Sequence, residues 1–116
     1  YGAMMKETLE AVEKLEAKGV SCEVIDVATI QPLDMETIVQ SVEKTGRCVI
    51  IHEAARFCGV GAEIAEQLAE KALISLHAPV MRVTGYDTIM PYFRLEKNYM
   101  PSVERILKAV EKTLAY

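Results

Sequence analysis

The chain of 116 residues has no tryptophan, three cysteines, two histidines and four prolines. Cys22, Cys48 and Cys58 make an odd set with no Cys-x-x-Cys spacing. That argues against both a disulfide framework and a structural zinc site, and it fits a reducing, cytoplasmic setting. Basic charge is also scarce: 13 Lys and Arg stand against 17 Asp and Glu, a net charge of −4. Nucleic acid and anionic membrane both require a basic surface, so neither is expected as a main partner. No apolar run approaches the roughly 20 residues of a membrane helix. No charged-then-apolar leader opens the chain, so the sequence reads as neither exported nor membrane-spanning. The opening Tyr1-Gly2 runs straight into a helical pattern, as a piece of a longer chain would.

What the sequence does contain is an alternation of helical and strand patterns. Met5, Leu9, Val12 and Leu15 share one helical face, and Gly19 follows Lys18 as a stop. Residues 20–27, including Cys22, Val24, Ile25 and Val27, read as a strand half or wholly buried. Asp34 is placed to cap a helix carrying Ile38, Val39 and Val42, which Gly46 ends. The continuous apolar run Cys48-Val49-Ile50-Ile51 predicts a strand covered on both faces. A third helix is expected over about residues 62–76 and a short strand over 80–83. Residues 84–100 read as a long irregular stretch, and Pro101-Ser102 opens a final helix with Val103, Ile106, Leu107, Val110 and Leu114 inward.

This order predicts a single domain, residues 1–116, built as a three-layer α/β/α sandwich with a mainly parallel sheet, because parallel neighbours need crossover helices. Three strands against four helices is too narrow a sheet. One strand, or more, is therefore expected to lie outside these residues.

The stretch from Ile50 to Ile64, "IIHEAARFCGVGAEI", holds the features most suggestive of chemistry. Gly59-Val60-Gly61 begins like a dinucleotide fingerprint, but Ile64 takes the third glycine position, and Glu63 and Glu66 stand in the first helical turn. Their charge would repel a phosphate there, so a tight turn with close helix packing is the favoured reading. His52 and Glu53 are adjacent on a strand end and point to opposite faces, which disfavours an acid–base pair. The expectation is a His satisfied by loop backbone and a Glu paired with Arg56 or capping. Cys58 is a weak candidate nucleophile for the same electrostatic reason. His77, isolated before Ala78-Pro79, reads as a surface turn residue. The six methionines are scattered and read as core fillers. Tyr86, Tyr92, Phe93 and Tyr99 are expected to cover a core or an interface. No catalytic, cofactor-binding or metal-ligating residue is assigned.

Taken in order, "VSCEVIDVATIQPLDMETI", "SVEKTGR" before an apolar strand and "HEA", "GVGAEIAE", "SLHAPVMRVTGYDT" with "MPY", and "PSVERI" resemble one family. It is the C-terminal, transketolase-like domain of the β subunit of thiamine-diphosphate-dependent 2-oxo acid dehydrogenases, of pyruvate or branched-chain type. The resemblance runs along nearly the whole chain. It implies an intact enzyme that decarboxylates a 2-oxo acid and acylates a lipoyl group, with thiamine diphosphate and Mg²⁺ bound outside this domain. It implies an α subunit and a second β subunit as partners, and a lipoyl acyltransferase core docked through its small basic domain. The setting would be the bacterial cytoplasm, or the mitochondrial matrix in a eukaryote.

The family pattern opens with strands of which only Tyr1-Gly2 remains here, and the resemblance places the missing one between residues 20–27 and 48–52. The partner-docking candidates it implies are His77, at a position where an acid is usual, and Tyr116, whose carboxylate follows an amphipathic helix. Two alternatives stand beside this reading: the same domain of another transketolase-like enzyme, and a free-standing nucleotide-binding α/β module. Measurable nucleotide binding would favour the last.

Overall fold

The computed structural model describes residues 1–116. Helix α1 spans Met4–Glu16. It stops where Gly19 takes φ 81° and lets the Val20 amide reach back to Leu15 O at 3.0 Å. Helix α2, Met35–Thr45, starts on Asp34, whose carboxylate accepts from the Thr37 amide at 3.1 Å, and it ends on Gly46 at φ 71°. Strand β1, Val49–Ile51, leads through the His52 turn into α3, Val60–Lys71. A 3-10 turn, Leu73–Ser75, follows, so the expected third helix is shorter at its carboxyl end. Strand β2, Met81–Val83, pairs parallel to β1 with Val49 opposite Met81 and Ile51 opposite Val83. Helix α5, Val103–Leu114, starts on Ser102, whose hydroxyl accepts from the Arg105 amide at 3.3 Å.

Side-chain alternation along β1 sets the layers. Ile50 packs with Met35, Ile38, Val42, Ile64, Leu68 and Ala72 under α2 and α3. Val49 and Ile51 face the other way, toward Ala11 of α1, Val83 of β2 and Ile106 of α5. That is the expected α/β/α sandwich, with α2 and α3 on one side and α1 and α5 on the other. Lys18 and Glu111, 3.1 Å apart, tie α1 to α5 at the surface.

The sheet itself departs from expectation, because it has two strands. Residues 20–27 are not a strand, although their burial alternates as a strand's would: Cys22 and Val24 are half-buried while Ser21, Glu23 and Asp26 are exposed. The physical reason is the lack of a partner. Within residues 21–27 the only main-chain hydrogen bond is from the Ala28 amide to Asp26 O, 2.9 Å. An apolar alternating pattern specifies a face, but a ladder needs a neighbour. A further departure is α4, the single turn Glu96–Tyr99 inside the stretch expected to be irregular.

Candidate docking surface and the His52 turn

The His52 turn is a packed corner. His52 is fully buried and its ring stacks on Tyr1 with centroids 5.6 Å apart. Neither ring nitrogen makes a well-formed hydrogen bond, and the loop backbone expected to satisfy the ring reaches it only through Ala54, whose effect is smaller than that of burial. Burial pushes its pKa down, so the neutral form is favoured. Both glycines lie against this ring. A Cβ on Gly61 would stand 2.5 Å from His52 Nε2, and one on Gly59 would stand 2.5 Å from Ala55 O and 2.9 Å from His52 Cε1. The space that a dinucleotide fingerprint leaves for a phosphate is thus filled by imidazole.

Glu53 is exposed and does not pair with Arg56, a correction to the expected pairing. Arg56 Nη1 donates to Arg82 O and Arg82 Nη1 donates to Arg56 O, both at 3.1 Å, a reciprocal clamp of loop to strand. Cys58 is exposed at φ 55°.

The long stretch after β2 divides in two. Its base is pinned by Arg105, whose Nη2 donates to Thr84 O at 2.6 Å and whose Nη1 donates to Met100 O at 3.3 Å. The same guanidinium lies 4.7 Å from the Tyr86 ring centroid, and Tyr86 meets the buried Tyr99 edge-on. Gly85 passes between Glu53 O and the Tyr99 ring with no room for a side chain. Its tip, in contrast, presents Ile89, Tyr92 and Phe93 at 80% exposure or more. So one part of the aromatic set covers the core and the other faces outward. Arg105 was the residue that sequence reasoning missed, since an Arg in a helical pattern reads as a solvated charge.

The two docking candidates lie at one end of the molecule. The exposed His77 donates its backbone N–H to Gly46 O at 2.8 Å, and its ring covers the Gly46 Cα face. The next residue, Arg47, sends its Nε to Thr113 O at 2.9 Å in the last turn of α5. Gly46 and Arg47 therefore bridge the His77 turn to the helix that ends beside Tyr116. Leu73, Ile74 and Tyr116 are all at least 65% exposed. Exposed apolar side chains of this kind suit contact with a protein partner.

Comparison with known proteins agrees with the fold. The family described as "Transketolase, C-terminal domain" matches residues 1–106. The chain is 49% identical over 116 residues to the pyruvate dehydrogenase E1 component subunit beta of Staphylococcus epidermidis, covering all of this chain and 36% of that protein. It is 47% identical over the same span to the Staphylococcus aureus protein of that name, again 36% of its length. A solved structure, a split gene transketolase described as an inactive beta4 tetramer, superposes with a TM-score of 0.82 at 34% identity. That superposition covers 98% of this chain and 36% of the other. The chain thus spans about a third of the length of these relatives. Sequence, fold and layer order place it in one family: this chain belongs to the transketolase C-terminal domain family.

Proposed function

We propose that this chain is the C-terminal domain of the β subunit of the decarboxylating component of a pyruvate-type 2-oxo acid dehydrogenase, and that it serves assembly and docking. The observation that carries this is the 49% identity to a pyruvate dehydrogenase β subunit along the whole chain. The intact enzyme would decarboxylate the oxo acid and acylate a lipoyl group, with the reacting atoms held elsewhere. An α subunit and a second β subunit are the assembly partners in this reading, with neither nucleic acid nor membrane involved. A bacterial cytoplasm is its setting.

Thiamine diphosphate and Mg²⁺, which the family implies, do not fit the residues present. The one glycine turn that resembles a phosphate cradle is filled by His52, and no three His, Cys, Asp or Glu side chains converge as metal ligands. No step is therefore derived through them in this chain. Calorimetric titration with thiamine diphosphate and Mg²⁺ is the test: the isolated chain should bind neither appreciably. Micromolar binding would overturn the reading.

For docking, the partner in this reading is the small basic domain of a lipoyl acyltransferase. It would meet the surface carrying His77 and Tyr116. The strong structural likeness to a transketolase supports a second reading, the same domain in another transketolase-like enzyme. That enzyme would have no lipoyl partner, so failure of the basic domain to bind the assembled enzyme would favour it.

A further inference from the structure

The tip of the stretch after β2 is apolar and exposed, yet held in place. Beyond the base that Arg105 pins, Asp87 Oδ1 accepts from the Phe57 amide at 2.7 Å, which ties the tip to the loop after β1. Within it the Thr88 amide donates to Tyr86 O at 2.8 Å, the Leu95 amide donates to Tyr92 O at 2.9 Å, and α4 closes it. On this frame Phe57, Ile89, Tyr92 and Phe93 are at least 79% exposed, and Met90 and Leu95 are more than half exposed. Both loops leave the carboxyl ends of the paired strands, so these side chains gather at one end of the sheet.

With a full aromatic side chain counting for about 150–250 Å², these residues expose on the order of 700 Å² of apolar surface. A monomer's largest apolar patch is usually about 300–600 Å², whereas one side of a stable interface covers roughly 800 Å². An area of this size fits a covered surface. The charges around it indicate the kind of cover. Arg94, Glu96 and Lys97 are exposed in the same stretch and make no ion pair within the chain. A rim of both signs suits neither a uniformly acidic nor a uniformly basic partner, but it is self-complementary. Across a twofold axis Arg94 of each copy can meet Glu96 of the other, and the pair is made twice.

We propose that this end of the sheet is a contact surface for a second copy of this chain, related by a twofold axis, with the aromatic tips at the centre and Arg94 and Glu96 at the rim. A tip already fixed by Asp87 and Arg105 loses little freedom on docking, so more of its apolar burial goes to affinity. The surface lies at the opposite end of the strands from the turn of Gly46 and His77, so both ends can be occupied at once. Identifying that copy with the second β subunit rests on the function proposed above, whereas the contact itself is tested on this chain alone, so the two can fail separately.

Sedimentation velocity of the 116-residue chain is the test. The native sequence should form a dimer with a dissociation constant of about micromolar or tighter. Phe93→Asp should weaken dimerisation at least about thirtyfold while keeping the circular dichroism of the native chain, because that position is exposed. Arg94→Glu and Glu96→Arg should each weaken it several-fold, and the two together should restore it, as a contact between identical surfaces requires. Where Phe93→Asp does not fold, the charge exchange decides the matter by itself. A chain that is monomeric at about 100 μM would overturn the proposal and leave the patch to a different subunit or another part of the enzyme. A dimer unaffected by Phe93→Asp and by both charge reversals would overturn it too, since association through the open edge of β1 would survive these changes.

Discussion

His52 is the residue whose behaviour follows most directly from its surroundings. Its folded pKa lies below the ordinary 6.5, because burial disfavours the charged ring and Arg82 adds to this. The unfolded chain therefore binds the proton first on acidification. Stability from this group is fully present above the unfolded value and declines as pH falls through about 6.5 toward the folded pKa. Denaturant midpoints at about pH 7.5 and pH 5 should drop for the native sequence and drop less for His52→Gln. An equal drop in both would mean that His52 is not the group responsible. Gly61→Ala tests the same corner sterically: its Cβ meets His52 Nε2 at 2.5 Å and Ile50 Cγ2 at 3.1 Å. A loss of about 1–3 kcal/mol is expected, read from the same denaturation curves. The sequence revealed that Glu63 opposes a phosphate and that a tight turn was needed. It did not reveal the Tyr1 stack on His52, which joins residues at opposite ends of the first half of the chain.

Among the elements, those fixed by short-range chemistry were legible and those needing a distant partner were not. Asp34 and Gly46 bound α2 as expected, since a cap and a left-handed stop act within one helical turn. Asp34→Ala should cost about 1 kcal/mol in a thermal or chemical melt. Residues 20–27 carry a strand's pattern without a strand's neighbour, and no local signal distinguishes the two. The stretch after β2 was legible as unusual, but its anchor lay in α5. Arg105→Ala removes donors to Thr84 O and Met100 O and the contact with Tyr86. Proteolysis and hydrogen exchange within residues 84–100 should accelerate at least about tenfold, while β1 and α3 exchange as before. Uniform acceleration throughout the chain would show global destabilisation instead.

At the scale of the whole molecule, Gly46 and Arg47 bring the His77 turn and the end of α5 to one face, a convergence that sequence distance conceals. Family resemblance named His77 and Tyr116, and the hydrogen bonds from His77 to Gly46 and from Arg47 to Thr113 link the turn to the last turn of α5. An exposed charge pair contributes about 0.2–1 kcal/mol, whereas truncating one member of a desolvated pair can cost roughly 2–5 kcal/mol. The size of the change for His77→Glu therefore reports whether that position is exposed or desolvated against a docked partner. For the proposed docking role the most direct measurement is calorimetric titration of the assembled enzyme with the small basic domain of a lipoyl acyltransferase, repeated after removing Tyr116 and after His77→Glu. The account predicts at least about tenfold weaker binding after the removal, and stronger, more salt-sensitive binding for His77→Glu. Affinity unchanged by both alterations would contradict it.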